Sequence, residues 1–220
     1  MNATTSRLVD EIVDALPQTQ CTRCGYPDCR GYARAIAAEG VAINQCPPGG
    51  AQGIARLAHI TGRPVIALNP GHGQEGPRHL AVIDEAWCIG CTLCIKACPV
   101  DCIVGAPKQM HTVVDALCTG CELCIPVCPV DCISLVPVTG ERTGWDAWSE
   151  AQAAEARERY AQHEIRTERD QCEHEQRLMA KAQATLDDLP AASKITDPQL
   201  LEQKRKIIEA ALARARASKP

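Results

Sequence analysis

Apolar positions along the chain change their rhythm three times. Leu8, Ile12, Val13 and Leu16 recur at helical spacing until Pro17, which predicts a first amphipathic helix entered through the turn Thr4-Thr5-Ser6. A short Ala-rich helix over 31–39 is stopped by Gly40. A third, over 51–61 with Ile54, Leu57 and Ala58, is stopped by Gly62, the position past a helix end that glycine tolerates best. The rhythm then turns to strands. Leu80-Ala81-Val82-Ile83 is expected to pair with Ile133 to Val136, and Ile103-Val104 with Thr112-Val113-Val114 flank Pro107-Lys108-Gln109 as a small hairpin. From Trp145 onward there is no glycine, and 14 acidic residues stand against 13 basic ones, the pattern of long solvated helix. Glu155 with Arg159 and Glu173 with Arg177 are i, i+4 pairs worth about 0.2–0.5 kcal/mol each. Ile165, Cys172, Met179 and Leu186 fall seven apart, but Glu168 and Glu175 spoil the second row of a coiled coil, so the stripe reads as a docking or packing edge. Asp197-Pro198 opens a last helix whose apolar residues, Leu200, Leu201, Ile207, Ile208 and Leu212, need a partner.

Between the third helix and the first strand, residues 64–79 hold three prolines and three glycines and read as a linker. Gly71-His72-Gly73-Gln74-Glu75-Gly76 imitates a dinucleotide fingerprint there. That motif must open a helix, and Pro77 and a strand follow instead, so the fingerprint is rejected.

Cysteine decides the chemistry. The chain has 15 of them in 220 residues and no Phe, and fourteen lie before residue 145, so metal rather than aromatic burial is expected to hold that part together. Cys88, Cys91, Cys94 and Cys98-Pro99 recur thirty residues later as Cys118, Cys121, Cys124 and Cys128-Pro129. Three thiolates at this spacing can reach three irons of one cubane, while the fourth faces away and completes the neighbouring cluster. The expected sets are therefore Cys88, Cys91, Cys94 and Cys128 for one [4Fe–4S] cluster and Cys118, Cys121, Cys124 and Cys98 for the other. Neither half is expected to fold around its metal alone. Structural zinc also uses C-x2-C pairs, but three cysteines in seven residues followed by Cys-Pro, twice over, favour iron–sulfur.

Cys21, Cys24, Cys29 and Cys46 form one further four-thiol site, which by count alone suits zinc equally well. Cys102 and Cys132 follow Pro-Val-Asp in both repeats and are read as small buried packing residues, with a tuning group or spare ligand as the sharper alternative. Asp101 and Asp131 are expected to cap the turn after each cluster helix rather than act as acids. Cys172 with His174 has no second Cys-His partner, so a Rieske site is rejected. The six histidines form no hydrolytic constellation.

An odd cysteine count and the absence of a signal-peptide pattern argue against a disulfide framework and for a reducing cytoplasmic compartment. No apolar run approaches the roughly 20 residues a membrane helix requires. The formal charge of −4 disfavours nucleic acid and suggests an acidic carrier docking on a partner's basic patch.

The expected fold class is α+β. Residues 1–63 form a small α-rich 4Fe–4S module and 64–79 a linker. Residues 80–137 form a two-cluster, bacterial-ferredoxin-like (βαβ)2 domain, and 138–220 a charged helical tail.

Leu16-Pro17-Gln18-Thr19-Gln20-Cys21, Cys24-Gly25-Tyr26-Pro27, Cys46-Pro47-Pro48-Gly49-Gly50 and the double cysteine motif occur in one order. In these strings the chain resembles the RnfB (RsxB) family, the ferredoxin-like members of the Rnf (Rsx) electron transport complex, over roughly residues 10–137. The resemblance implies a third [4Fe–4S] cluster on Cys21, Cys24, Cys29 and Cys46. It also implies a relay role in a membrane-associated assembly that couples electron flow to ion movement. The family's usual N-terminal apolar anchor is not seen in this sequence, so membrane association on the cytoplasmic face of the inner membrane is expected only through partner subunits. An electron-input subunit of a soluble flavin-containing oxidoreductase is the alternative; in either role the chain carries electrons and is not a stand-alone catalyst.

Overall fold

The protein is described by a computed structural model, which places residues 3–217; the outermost ends of the first and last predicted segments, 1–2 and 218–220, lie outside the described residues. Two compact units divide at residue 163.

The first unit opens with α1 (Ala3–Ala15), which buries Val9, Ile12 and Val13. Thr4-Thr5-Ser6 lies inside this helix rather than forming its entry turn, because helix continues back to Ala3. α2 (Cys29–Arg34) is capped by Asp28, whose carboxylate accepts from the Gly31 N–H, and runs on as one wide turn, Ala35–Glu39, to Gly40 in the left-handed conformation. α3 (Gly50–Thr61) ends on Gly62, also left-handed. Val9, Ile12, Leu16, Tyr32, Ile36, Ile54 and Leu57 close one core between these helices.

Residues 64–79 are stitched to that module by specific bonds. Asn44 Nδ2 donates to the Ala67 carbonyl at 2.6 Å, the Asn69 N–H to the Asn44 carbonyl at 2.9 Å, and the Ala51 N–H to Glu75 Oε2 at 2.8 Å. The glycine-rich run forms a single 3-10 turn at Pro70–His72 and opens no longer helix.

β1 (His79–Ile83) pairs antiparallel with β4 (Ile133–Pro137), with Ile83 opposite Ile133 and Leu80 opposite Val136. β2 (Ile103–Val104) and β3 (Thr112–Val113) form the predicted hairpin. Between β1 and β2 lies the short α4 (Leu93–Ala97); the corresponding stretch of the second repeat, around Cys124, is a run of turns. Pro126, where the first repeat has Lys96, lacks the N–H that a helix there would use.

Chain beyond residue 138 completes this domain's core. α5 (Gly144–Ala147) leads to Trp148, which with Ala153 and Ala156 of α6 (Glu150–Asp187) packs among Cys98, Val100, Cys102 and Ile133. Trp148 Nε1 donates to the Pro17 carbonyl at 2.8 Å. Arg159 gives Nε to the Val100 carbonyl at 2.7 Å and Nη2 to the Asp101 carbonyl at 3.1 Å. It is thereby drawn away from the pairing with Glu155 that helical spacing suggested; two buried-side carbonyls offer more than an exposed carboxylate.

In the second unit, α7 (Pro198–Ala217) is capped by Asp197, whose carboxylate accepts from the Gln199 N–H at 2.7 Å. Leu186, Leu189 and Leu212 are its buried apolar residues, and Arg216 Nη2 donates to Gln183 Oε1 at 3.1 Å. Of the seven-spaced stripe, Leu186 is buried and Ile165 and Cys172 are exposed. Among the described residues no helix is long and apolar enough to cross a membrane.

Candidate metal centres

Twelve cysteines fall into three groups of four. Cys21, Cys24, Cys29 and Cys46 line one small enclosed space walled by Leu16, Tyr32 and Pro47. The chain reaches this shape through left-handed backbone at Gln18, Gln20, Thr22 and Gly25. Side chains from the same loop hold it: the Cys29 N–H donates to Gln20 Oε1 at 2.8 Å, Gln20 Nε2 to Gln18 Oε1 at 3.3 Å, and Gln18 Nε2 to the Val13 and Leu16 carbonyls. Tyr32 braces the far wall, donating to the Ala42 carbonyl at 2.8 Å while accepting from the Gln45 N–H at 3.1 Å.

Cys98, Cys118, Cys121 and Cys124 line a second enclosed space, with Ala81, Val100 and Leu135 around them. Cys98 thus leaves its own run and joins the three thiols of the other. Cys88, Cys91 and Cys94 form the third group, in which His111 touches two members: its backbone N–H donates to Cys88 Sγ at 3.4 Å and its ring Nδ1 lies 3.2 Å from Cys94 Sγ. Cys132 lies 3.5 Å from Cys128 Sγ and also engages Cys88, so Cys128 belongs with this group.

The two repeats share a backbone as well as a sequence. Left-handed residues occur at Gly90 and Gly120, Thr92 and Glu122, Asp101 and Asp131. Non-glycine residues adopt this conformation at a cost, and it persists where the surroundings over-determine it. The two glycines are obligatory by space alone: a Cβ on Gly90 would meet Gln109 backbone at 2.5 Å, and one on Gly120 the His79 carbonyl at 2.5 Å.

Burial shapes the electrostatics. It raises the Cys29, Cys121 and Cys124 thiols from 9.0 to about 12, and neighbouring sulfurs push the same way. Cys46 is raised strongly for the same reasons. Four such thiols turned inward cannot all ionise unless a cationic core neutralises them, and loading that core releases their protons. Cys98 and Cys118 are held down to about 6, chiefly because both sulfurs face the single S–H of Cys102, whose own thiol is pushed well up. Cys102 Sγ is 3.4 Å from Cys98 Sγ. The sequence pattern made Cys102 and Cys132 packing residues; they are buried, and each also reaches two sulfurs of one group.

The donor set fits iron–sulfur clusters. Soft sulfur donors in fours line two spaces with apolar walls, the donor type and surroundings that such clusters use.

Two side chains have roles that the sequence pattern did not reveal. His111 is 1% exposed, with Nε2 buried and unpartnered, and only its position two residues before a strand valine gave any hint. Asp101, expected to cap its turn, places its carboxylate 2.8 Å from His163 Nδ1, a residue sixty-two positions away.

Comparisons with known proteins follow the same lines. Residues 81–135 match the family model described as a 4Fe-4S dicluster domain, and residues 16–48 match the family model named FeS, for an Fe-S cluster. The RnfB protein of the ion-translocating oxidoreductase complex of Azoarcus sp. (strain BH72) is 60% identical over 103 residues, covering 47% of this chain and 56% of that protein. The protein of the same name from Thiobacillus denitrificans is 56% identical over 138 residues, covering 63% of this chain and 73% of that protein. That of Klebsiella pneumoniae is 54% identical over 146 residues, covering 63% and 74%. No solved structure gives a significant match. With identity of 54–56% over more than two thirds of two of these relatives' length, the chain belongs to the RnfB family of the ion-translocating oxidoreductase complex.

Proposed function

We propose that this protein is an iron–sulfur electron-transfer subunit that relays single electrons through three [4Fe–4S] clusters, as the RnfB component of an Rnf-type electron transport complex. One observation supports the reading: two sets of four cysteines from distant parts of the chain line enclosed spaces, and a third set is linked through His111 and Cys132. Cys21, Cys24, Cys29 and Cys46 would hold one cluster, Cys88, Cys91, Cys94 and Cys128 the second, and Cys118, Cys121, Cys124 and Cys98 the third. When bound, such clusters accept and release one electron at little structural cost. The chain's own part is to exclude water with Leu16, Tyr32, Val100 and Leu135, and to fix the sulfurs by tight loops. It also aims hydrogen bonds at them from His111 and Cys102.

Other redox subunits of the complex are the proposed partners, with attachment to the cytoplasmic face of the inner membrane made through them. The names of the relatives support this placement. Anaerobically purified protein tests the reading by iron and sulfide analysis with low-temperature EPR. About twelve irons and twelve acid-labile sulfides per chain are expected, four of each per cubane. Colourless protein with stoichiometric zinc overturns it.

A further inference from the structure

The thirty-residue repeat carries two equivalent loop surfaces, and only one is covered. In the second repeat, Thr119 is 3% exposed and its hydroxyl donates to the Thr19 carbonyl at 3.1 Å, while Glu122 pairs with Arg23 at 2.5 Å. Both contacts come from the loop that carries Cys21 and Cys24, so one thiol-bearing loop sits on another. Thirty residues earlier, Ile89, the counterpart of Thr119, is 56% exposed, and Trp87 (69%) and Leu93 are exposed where their counterparts Leu117 and Leu123 are half-buried. Met110, 60% exposed, adjoins them, because the Lys108 N–H donates to the Gly90 carbonyl at 2.9 Å and brings the two loops together. Single exposed apolar residues are ordinary; a contiguous group including a tryptophan, placed over functional residues, marks a contact surface.

Charge identifies what fits there. Between residues 80 and 137 the only lysines or arginines are Lys96 and Lys108, against Asp84, Glu85, Asp101, Asp115, Glu122 and Asp131. Lys96 is three residues after Leu93 on α4, hence on the same helix face, and Lys108 flanks Met110. Of the acids beside Trp87, Asp84 turns its carboxylate back onto the Ala86 N–H at 3.0 Å, and Glu85 is the other. Both lysines of the 80–137 segment therefore border the exposed apolar residues, whereas Arg78 and Arg159 turn their guanidiniums onto the Cys118, Val100 and Asp101 carbonyls.

Resting on the electron-transfer reading above, we propose that the Trp87, Ile89, Leu93 and Met110 surface is the docking site for an external redox protein whose own docking face is apolar and ringed by carboxylates. Such a partner exchanges one electron through the Cys88, Cys91, Cys94 and Cys128 side of the domain. This runs opposite to the acidic docking face that net charge alone suggests, since encounter is steered by local rather than total charge.

Two purified probes of opposite charge test it in the full, cluster-loaded chain. Acidic flavodoxin in its hydroquinone form gives one electron to the oxidised protein and becomes the neutral semiquinone. Basic ferricytochrome c takes one electron from the reduced protein and becomes ferrous. Lys96→Glu with Lys108→Glu is expected to slow the flavodoxin reaction about tenfold at low ionic strength, to lose that difference at high salt, and not to slow cytochrome c. Trp87→Ser with Ile89→Ser, checked for unchanged cluster absorbance, is expected to slow flavodoxin at every ionic strength. Wild-type flavodoxin rates in the lysine variant overturn the proposal. So does sedimentation showing that Trp87→Ser converts a dimer to a monomer, which would assign the surface to a second copy of this chain. Wild-type protein that exchanges electrons with neither probe overturns the electron-transfer reading itself.

Discussion

The guanidinium of Arg23 and the carboxylate of Glu122 meet at 2.5 Å, each one residue from a cysteine of a different cluster loop. This ion pair joins the N-terminal module to the second repeat, but its two side chains are each 34% exposed, so solvent weakens it. Trp148 joins the same two parts from within, 5% exposed, its indole N–H on the Pro17 carbonyl and the Arg78 guanidinium 4.8 Å from its ring.

The junction therefore rests on the indole. A double-mutant cycle on Arg23→Ala and Glu122→Ala should give a coupling of about 0.2–1 kcal/mol in denaturant unfolding. Trp148→Ala should cost about 3–5 kcal/mol, through lost burial and an unpaired carbonyl. An equal cost for both changes would show that charge, not packing, holds the junction.

Cys98→Ala should damage the cluster assigned to Cys118, Cys121 and Cys124, because its sulfur lines their space and not that of its neighbours in sequence. Mössbauer or EPR spectra of the variant read which cluster is lost. Selective loss of the Cys88 cluster overturns the crossed assignment.

His111 Nδ1 lies 3.2 Å from Cys94 Sγ, and a Cys94 thiolate holding a cluster could only accept, so the ring would donate to it. A donor to sulfur stabilises the more negative, reduced state. His111→Leu should then lower the potential of the Cys88 cluster by about 40 mV, the one-electron equivalent of about 1 kcal/mol of hydrogen bond. EPR-monitored redox titration checks it, and the other two clusters should keep their potentials.

Metal-free protein should lose stability as the solution becomes alkaline. Cys29, Cys121 and Cys124 are raised from 9.0 to about 12 by burial, so the folded form holds protons more tightly than the unfolded one. That contribution is fully present below pH 9 and disappears as pH rises toward 12. Urea midpoints of the chelator-stripped chain across this window should fall, whereas the cluster-loaded protein, its thiolates already ionised, should lack this dependence.

Much of the architecture was legible in advance because it is set by short-range rules. Cysteine spacing grouped Cys98 with Cys118, Cys121 and Cys124, which line one space, period-two and period-3.6 apolar patterns placed β1, β4 and the helices of the first module, and Gly40 and Gly62 marked helix ends that the structure keeps. Pro77 predicted a strand rather than a helix after the glycine-rich run, and β1 follows it. These features depend on steric and bonding constraints within a few residues.

Only the tertiary structure decided what lies between distant segments. It brought Asp101 to His163, Thr119 to Thr19 and Trp148 to Pro17, and placed His111 against two sulfurs. It also left one of two matching repeat surfaces covered and the other bare. No local pattern encodes such partners, since each is chosen by which buried polar groups and apolar faces remain unsatisfied once the whole chain has closed.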